Sequence, residues 1–240
     1  MSRTLVQASR ALTAALQPLR FPSASHVYLP TAYARIPHEI YLERCGSGKK
    51  KVLFLGMNPG PWGMAQTGVP FGEIAAVRDW MGITGEVAKP DREHPKRPIL
   101  GFHCTQSEVS GRRLWGHFAD RFPRAADFFE DHFVANYCPL VWMGPTGANL
   151  TPDKLPAAEM EAVEQHCLTH LRETIEILDP EYLIGVGAFA QSRLAAAAAD
   201  LGHPARIGRI LHPSPASPAA NRGWAQAASA QLHRLGLTHL

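Results

Sequence analysis

The chain is short of several things, and each shortage narrows what it can be. Its cysteines, Cys45, Cys104, Cys138 and Cys167, are scattered with no CxxC spacing among them. In a chain of 240 residues that argues against a disulfide framework, and against a four-cysteine zinc or iron–sulfur centre. Reduced thiols in a cytosolic setting are expected instead. No stretch approaches the ~18 apolar residues that span a bilayer, so no membrane association is expected. The N-terminal segment, MSRTLVQASRALTAALQPL, lacks a continuous apolar run and is broken by Arg10, which does not fit a secretory leader. Charged residues make up only 19%, with no acidic or basic tail and no internal repeat. The formal net charge of +3 permits a polyanionic partner without demanding one.

What the chain does have is a hydrophobic content of 45%, with 20 glycines and 20 prolines. That is core enough for one soluble domain over 1–240, with residues 4–19 as an accessory helix. The prolines fall between periodic segments, so they mark shaped loops rather than disorder.

One stretch organises the rest. Leu53 to Glu73 reads LFLGMNPGPWGMAQTGVPFGE. It opens as a buried strand over Lys51–Leu55, then breaks into Gly, Pro and Asn, which suit neither helix nor strand. A helical pattern begins again at Phe71–Glu73. A strand that ends in such a loop is where open α/β folds place their ligands. The loop holds few side chains able to do chemistry: Asn58, Gln66, Thr67 and Phe71. It has no nucleophile in a strained elbow and no metal-ligand cluster, so neither a metal nor a cofactor is expected. Such a loop would hold a flat ring and position a water.

Apolar spacing predicts helices over Leu5–Leu19, Ile74–Met81, Ser110–Phe122, Ala157–Leu178, Ala188–Leu201 and Arg222–Leu235. Strands are predicted at Phe133–Cys138, Tyr182–Val186 and Arg206–Leu211 besides the first. Val27–Ile40 reads as a covering loop with a short helix, and Asn149–Pro152 as a turn. Lys89–Arg97 reads as a polar loop, either solvated or touching a phosphate backbone. Alternating strands and helices imply parallel strands joined by right-handed crossovers. The expected fold is therefore α/β, with helices about a short, mainly parallel four-stranded sheet. All its strands end at one edge, where the loop from Gly56 to Phe71, Asn136 and His212 would meet.

Taken singly, these residues keep two readings each. Asn58 would stabilise its own turn or hold a water. Asn136, in an apolar strand, would cap a backbone group or present a donor and an acceptor to a pyrimidine edge. His212 would be structural, or would donate to an oxygen that gains charge as a leaving group departs. Phe71 is core or a stacking platform. The small, stiff run Pro213 to Asn221 is a surface connector or a wedge that enters a duplex.

At these residues the chain resembles the single-strand-selective monofunctional uracil-DNA glycosylase family. The resemblance rests on GMNPGPWGMAQTGVPFGE, HPKRP at His94–Pro98, SEVSG at Ser107–Gly111, NYCPL at Asn136–Leu140, NLTP at Asn149–Pro152, and HPSP…NRGW at His212–Trp224. These occur in the family's order and span about Val27 to Leu237. The resemblance implies a three-layer α/β/α sandwich around a short parallel sheet. It implies that Asn58 positions the hydrolytic water and that His212 stabilises the departing uracil anion. Asn136 would read the base edge and Phe71 would stack on it. Met57, Gly60 and Met64 would belong to the pocket wall, which leaves room near C5 of the ring through a water. Pro213, Ser214, Pro215, Ala216, Ser217, Asn221 and Arg222 would meet DNA.

The implied activity is base-excision repair: flipping out uracil or 5-hydroxymethyluracil and hydrolysing the N-glycosidic bond. No lysine is among the residues that the resemblance places at the pocket, so no Schiff base and no lyase activity are expected. The partner would be uracil-containing DNA, single- or double-stranded, and the protein a monomer. It would be cytoplasmic, at the nucleoid in a bacterium or in the nucleus of a eukaryote. The chain departs from the family at Ala216-Ser217, where Arg-Asn is common, and at Trp62, where Phe is common. Two alternatives remain: a relative that prefers deaminated purines such as xanthine and hypoxanthine, and a DNA-binding module without catalysis.

Overall fold

The central sheet has four parallel strands: β2 (Val52–Gly56), β3 (His132–Asn136), β6 (Tyr182–Val186) and β7 (Arg206–Ile210), in the order β3-β2-β6-β7. The computed structural model describes residues 3–240. Residues 1 and 2, within the segment read as lacking a leader pattern, lie outside it. Every residue of β2 is buried, as a continuous apolar run in a parallel sheet covered on both faces should be. On one face lie α7 (Ala157–Leu178) and α8 (Ala188–Leu201), with α1 (Leu5–Leu16) against α7. On the other lie α5 (Val109–Ala119) and α10 (Trp224–Arg234), where Phe118 of α5 meets Phe54 of β2 at 5.2 Å. The layers are those of an α/β/α sandwich.

The predicted stripe of α7, Met160, Val163, Cys167, Leu171, Ile175 and Leu178, is buried throughout. The helix stops at Asp179, whose φ of 44° is left-handed. α1 carries a capping box at Thr4 and Gln7 and ends at Leu16, three residues before the predicted Leu19, because Pro18 cannot continue it.

Several expectations are corrected. β3 stops at Asn136 and does not run to Cys138, because the chain turns there and Cys138 donates its N–H to Met57 O. Ile74–Met81 is not a regular α-helix. It forms one wide π-type turn over Ala76–Trp80, pinched by Gly82 at φ 62°. The last helix starts at Trp224, after Gly223 at φ 143°, rather than at Arg222. Residues 27–40 hold a strand, β1 (His26–Tyr28), and two helices, α2 (Pro30–Tyr33) and α3 (Arg35–Cys45). β1 pairs with β4 (Val141–Met143), and β4 pairs with β5 (Asn149–Leu150), forming a second, antiparallel sheet. Asn149–Leu150 is therefore a strand, not a turn. Three short helices complete the chain: α4 (Met64–Thr67), α6 (Ala125–Asp131) and α9 (Pro218–Asn221).

All the cysteines are buried. The fold sets Cys167 against Cys138, and that contact together with burial holds the Cys167 thiol well above the usual range. Among the described residues, no helix is long and apolar enough to cross a membrane.

Three histidines, His117 and His132 buried and His170 half-buried, tie stability to pH. Desolvation comes first in lowering the imidazoles of His117, His132 and His170 from 6.5 to about 4. The unfolded chain takes up protons at these sites near pH 6.5, the folded protein only near pH 4. Between those values the unfolded state binds more protons, so stability falls as the pH drops. The midpoint of thermal unfolding, measured by circular dichroism, should be level above pH 7 and decline steadily from about pH 6.5 to about pH 4.

Candidate active site

The carboxyl ends of β2, β3 and β7 bring three loops together. Between them lies a cavity of ≈ 190 Å³ lined by Met57, Asn58, Gly60, Met64, Phe71, Asn136 and His212. All seven pocket residues predicted from the sequence thus line one cavity. Those predicted to meet DNA do not line it; they lie on the segment that follows His212 after β7. There Pro215, Ala216, Asn221 and Arg222 are exposed, Ser214 and Ser217 are half-buried, and Pro213 is buried.

Gly56, the last residue of β2, makes the convergence possible. A Cβ there would collide with Asn136 Oδ1 and would stand 2.6 Å from the Phe71 ring. The Asn136 amide donates weakly to Met64 Sδ at 3.4 Å, and its Oδ1 is buried without a partner among the described residues. Phe71 has a φ of 53°, a left-handed conformation that costs a bulky residue about 1–3 kcal/mol. Its neighbours hold it there. Gly72 N donates to Val69 O at 2.9 Å, Glu73 N to Phe71 O at 2.7 Å, and Trp115 Nε1 to Pro70 O at 3.2 Å. α5 packs onto the Phe71 carbonyl at Gly111, where any Cβ would clash.

Asn58 Nδ2 donates to Leu140 O at 3.3 Å. This orients the amide and leaves its Oδ1 without a donor among the described residues. His212 accepts at Nδ1 from the Ser214 N–H at 3.1 Å. A neutral imidazole that accepts at Nδ1 carries its proton on Nε2, so the ring is a donor at its other end. Burial lowers the His212 pKa, which favours this neutral form. Its ring centre stands 6.2 Å from that of Phe71. Gly187, at φ 96°, makes room for it beyond β6.

The segment after His212 is braced. Arg113 of α5 donates to Pro213 O at 3.0 Å and to Asn221 Oδ1 at 2.8 Å. Asn221 Nδ2 donates to Pro215 O at 2.9 Å. Ser217 caps α9 by accepting from Ala220 N.

Sequence reasoning assigned no place to Glu108, Ser110, Asn149 and Thr151, which line the same cavity. SEVSG and NLTP were visible as motifs, but nothing in their spacing pointed at the pocket. Glu108 Oε2 and Asn149 Oδ1 are buried without partners among the described residues. Desolvation pushes the Glu108 carboxyl above its usual range, against the pull of the Trp62 and Ser110 N–H groups. HPKRP supports the wall from outside: Arg97 stacks over Trp62 at 4.9 Å and donates to Gly147 O at 2.9 Å. The site therefore offers a flat apolar face, an amide, an imidazole donor and an oriented amide oxygen, which suits a planar heterocycle bearing carbonyls.

A family model described as "Uracil DNA glycosylase superfamily" matches residues 44–232. The chain is 49% identical to a single-strand selective monofunctional uracil-DNA glycosylase of Rattus norvegicus over 230 residues, covering 95% of this chain and 83% of that protein. It is 48% identical to the Mus musculus protein of that name, covering 95% and 82%. A solved structure, wild-type Pedobacter heparinus SMUG2, matches its fold with a TM-score of 0.64 at 15% identity, covering 95% of this chain and 98% of that one.

The Arg113 brace can be tested without a ligand. Arg113→Ala should raise amide hydrogen exchange across 213–221, measured by mass spectrometry, and leave β6 as slow as before.

Proposed function

Because the chain belongs to the uracil DNA glycosylase superfamily, we propose that it is a monofunctional uracil-DNA glycosylase of base-excision repair. It flips uracil or 5-hydroxymethyluracil out of DNA and hydrolyses the N-glycosidic bond. The observation that carries this reading is the shared cavity of Asn58, Phe71, Asn136 and His212.

Breaking the bond leaves positive charge on the sugar and negative charge on the base. The Nε2–H of His212 donates to O2 of the departing pyrimidine. One donor aimed at a developing anion contributes about 2.7–4 kcal/mol, or roughly 10²–10³ in rate. Asn136 Oδ1, buried without a hydrogen-bond partner among the described residues, accepts from N3–H, and its Nδ2 donates to O4. Phe71 stacks on the ring. Asn58 Oδ1 accepts from a water and aims it at the sugar. An amide is no base, but it suffices where the sugar cation forms early. Lysine takes no part in this scheme, so the reaction ends at an abasic site.

The DNA partner is met by Pro213 to Arg222. Its exposed tip, Pro215-Ala216, is small, which suits lesions in single strands, where no base pair has to be broken. The chain is proposed to act as a monomer.

In single-turnover assays on a uracil-containing oligonucleotide, His212→Ala should lower excision by about 10²–10³-fold. Asn58→Ala should cause a comparable loss, with thermal unfolding little changed in both. Near-normal excision in either variant rejects its assigned role. A panel of uracil, 5-hydroxymethyluracil, xanthine and hypoxanthine, in single- and double-stranded DNA, tests the substrate class. Rates should rank the pyrimidines above the purines and single strands above duplex. Affinity for DNA should fall as salt rises, through counterion release.

A further inference from the structure

Four of the tryptophans, Trp80, Trp115, Trp142 and Trp224, belong to the main hydrophobic core or pack against it. Trp62 belongs to neither hydrophobic cluster. It is half-buried, and what covers it is a charge: the Arg97 guanidinium lies 4.9 Å from its ring centre. The pair stands beside the base pocket. Pro61, the residue before Trp62, lines the cavity of Asn58 and His212. Arg97 donates to Gly147 O at 2.9 Å, two residues before Asn149, which lines the same cavity. A large aromatic that fills no core position and sits at the edge of a ligand cavity is a contact surface in waiting.

The loop that carries Arg97 is both fixed and cationic. Tyr28 of β1 donates to Arg97 O at 2.8 Å and accepts from the His94 N–H at 2.7 Å. His94 Nδ1 accepts from the Lys96 N–H at 3.0 Å. Gly147, at φ 80°, lets the turn before β5 approach, since a Cβ there would stand 2.9 Å from the His94 ring. Lys89 of this loop is paired with Glu93. Arg92 and Lys96 are exposed, and neither they nor Arg97 joins an ion pair among the described residues. A rigid indole with unpaired cations beside it is the combination by which proteins hold single-stranded nucleic acid, bases on the ring and phosphates on the charges.

We propose that Trp62, backed by Arg97, is a platform on which the base next to the flipped uracil stacks in single-stranded DNA, while Arg92 and Lys96 meet the phosphates of that flank. This rests on the base-excision reading above, and the platform lies outside the uracil pocket itself. Stacking needs a free base face and is tolerant of sequence. In a duplex that face is covered by the neighbouring pair, so the platform favours single strands. The HPKRP loop thereby gains a role, and so does the second sheet, whose β1 supplies the tyrosine that fixes the loop. The exchange of Phe for Trp at position 62 enlarges the stacking surface.

The test is single-turnover excision of uracil from single-stranded oligonucleotides, with protein in excess, in which a three-carbon spacer replaces the nucleoside on one side of the uracil or the other. The spacer keeps the phosphates and removes the neighbouring base. For the unaltered protein, one of the two spacers should raise the half-saturating protein concentration by about 5- to 150-fold. Trp62→Ala should show a similar rise on the unmodified strand and no further rise with that spacer, and Trp62→Phe should keep most of the spacer effect. Lys96→Ala should lower the slope of log affinity against log salt by about one. Indifference of the unaltered protein to both spacers overturns the proposal, and this comparison does not depend on any variant folding. So does a full spacer effect in Trp62→Ala, or a fall in its limiting rate with an unmoved half-saturating concentration, which would mark Trp62 as a prop for the pocket loop. An unchanged salt slope in Lys96→Ala removes the phosphate contact. Excision of uracil without regard to its neighbours sinks the platform alone, whereas no excision from any of these strands sinks the base-excision reading as well.

Discussion

At the end of β2 the backbone must pass so close to Asn136 and Phe71 that no side chain fits between them, and Gly56 meets that demand. The parallel register of β2 and β3 sets Gly56 opposite Asn136. The amide of one strand and the ring carried by the neighbouring loop therefore face one cavity. A parallel sheet supplies this for structural reasons, since its strand ends all lie on one side. The rest of the site follows from how each loop is held at that edge. Phe71 is kept in an unfavourable backbone conformation by the turn around it and by α5. His212 is held by its own loop and by Gly187. Strain concentrated at Phe71 is tolerated because neighbouring hydrogen bonds over-determine it.

The electrostatics of the cavity point one way. Its two ionisable side chains are both moved toward their neutral forms by burial: His212 downward and Glu108 upward. Ser214 then fixes which nitrogen of His212 keeps its proton. The cavity meets a ligand with oriented dipoles from His212 Nε2–H and the Asn136 amide. A base that becomes anionic only as its bond breaks is served by this arrangement, because a fixed dipole gains more from the charged state than from the neutral one.

Much of the fold was legible because it rests on local periodicity. The continuous apolar run of β2 and the stripe of α7 are each decided within a few turns of chain. What was illegible rests on distant pairing. His26–Tyr28 is too short to announce a strand, and its partner at Val141–Met143 lies far along the chain. Ile74–Met81 has helical spacing, yet Gly82 and the tight turn at Phe71 leave room for one wide turn only. Asn58, Asn136 and His212 were legible as a set because they follow or end strands, whereas Met57, Gly60 and Met64 came only with the family resemblance. Glu108 was not legible, because it enters from the start of α5, which is no strand end. Arg113 has no sequence signal either: it reads as one more exposed charge on a helix, and only the fold brings it to Pro213 and Asn221.

That brace bears on the departure at Ala216-Ser217. A wedge can act by bulk or by stiffness. Bulk fills the gap that a displaced base leaves in a duplex, and two small residues fill little of it. Stiffness only requires that the tip hold its place while the nucleotide rotates past it. Prolines at 213, 215 and 218 restrict the backbone. Bonds from Arg113, Asn221 and the Ser217 cap remove most of the freedom that remains. A single strand leaves no paired partner base to be satisfied, so stiffness is sufficient there and bulk is not missed. On the proposed reading, a small tip with the clamp beneath it intact leaves the segment suited to the less demanding of the two substrates.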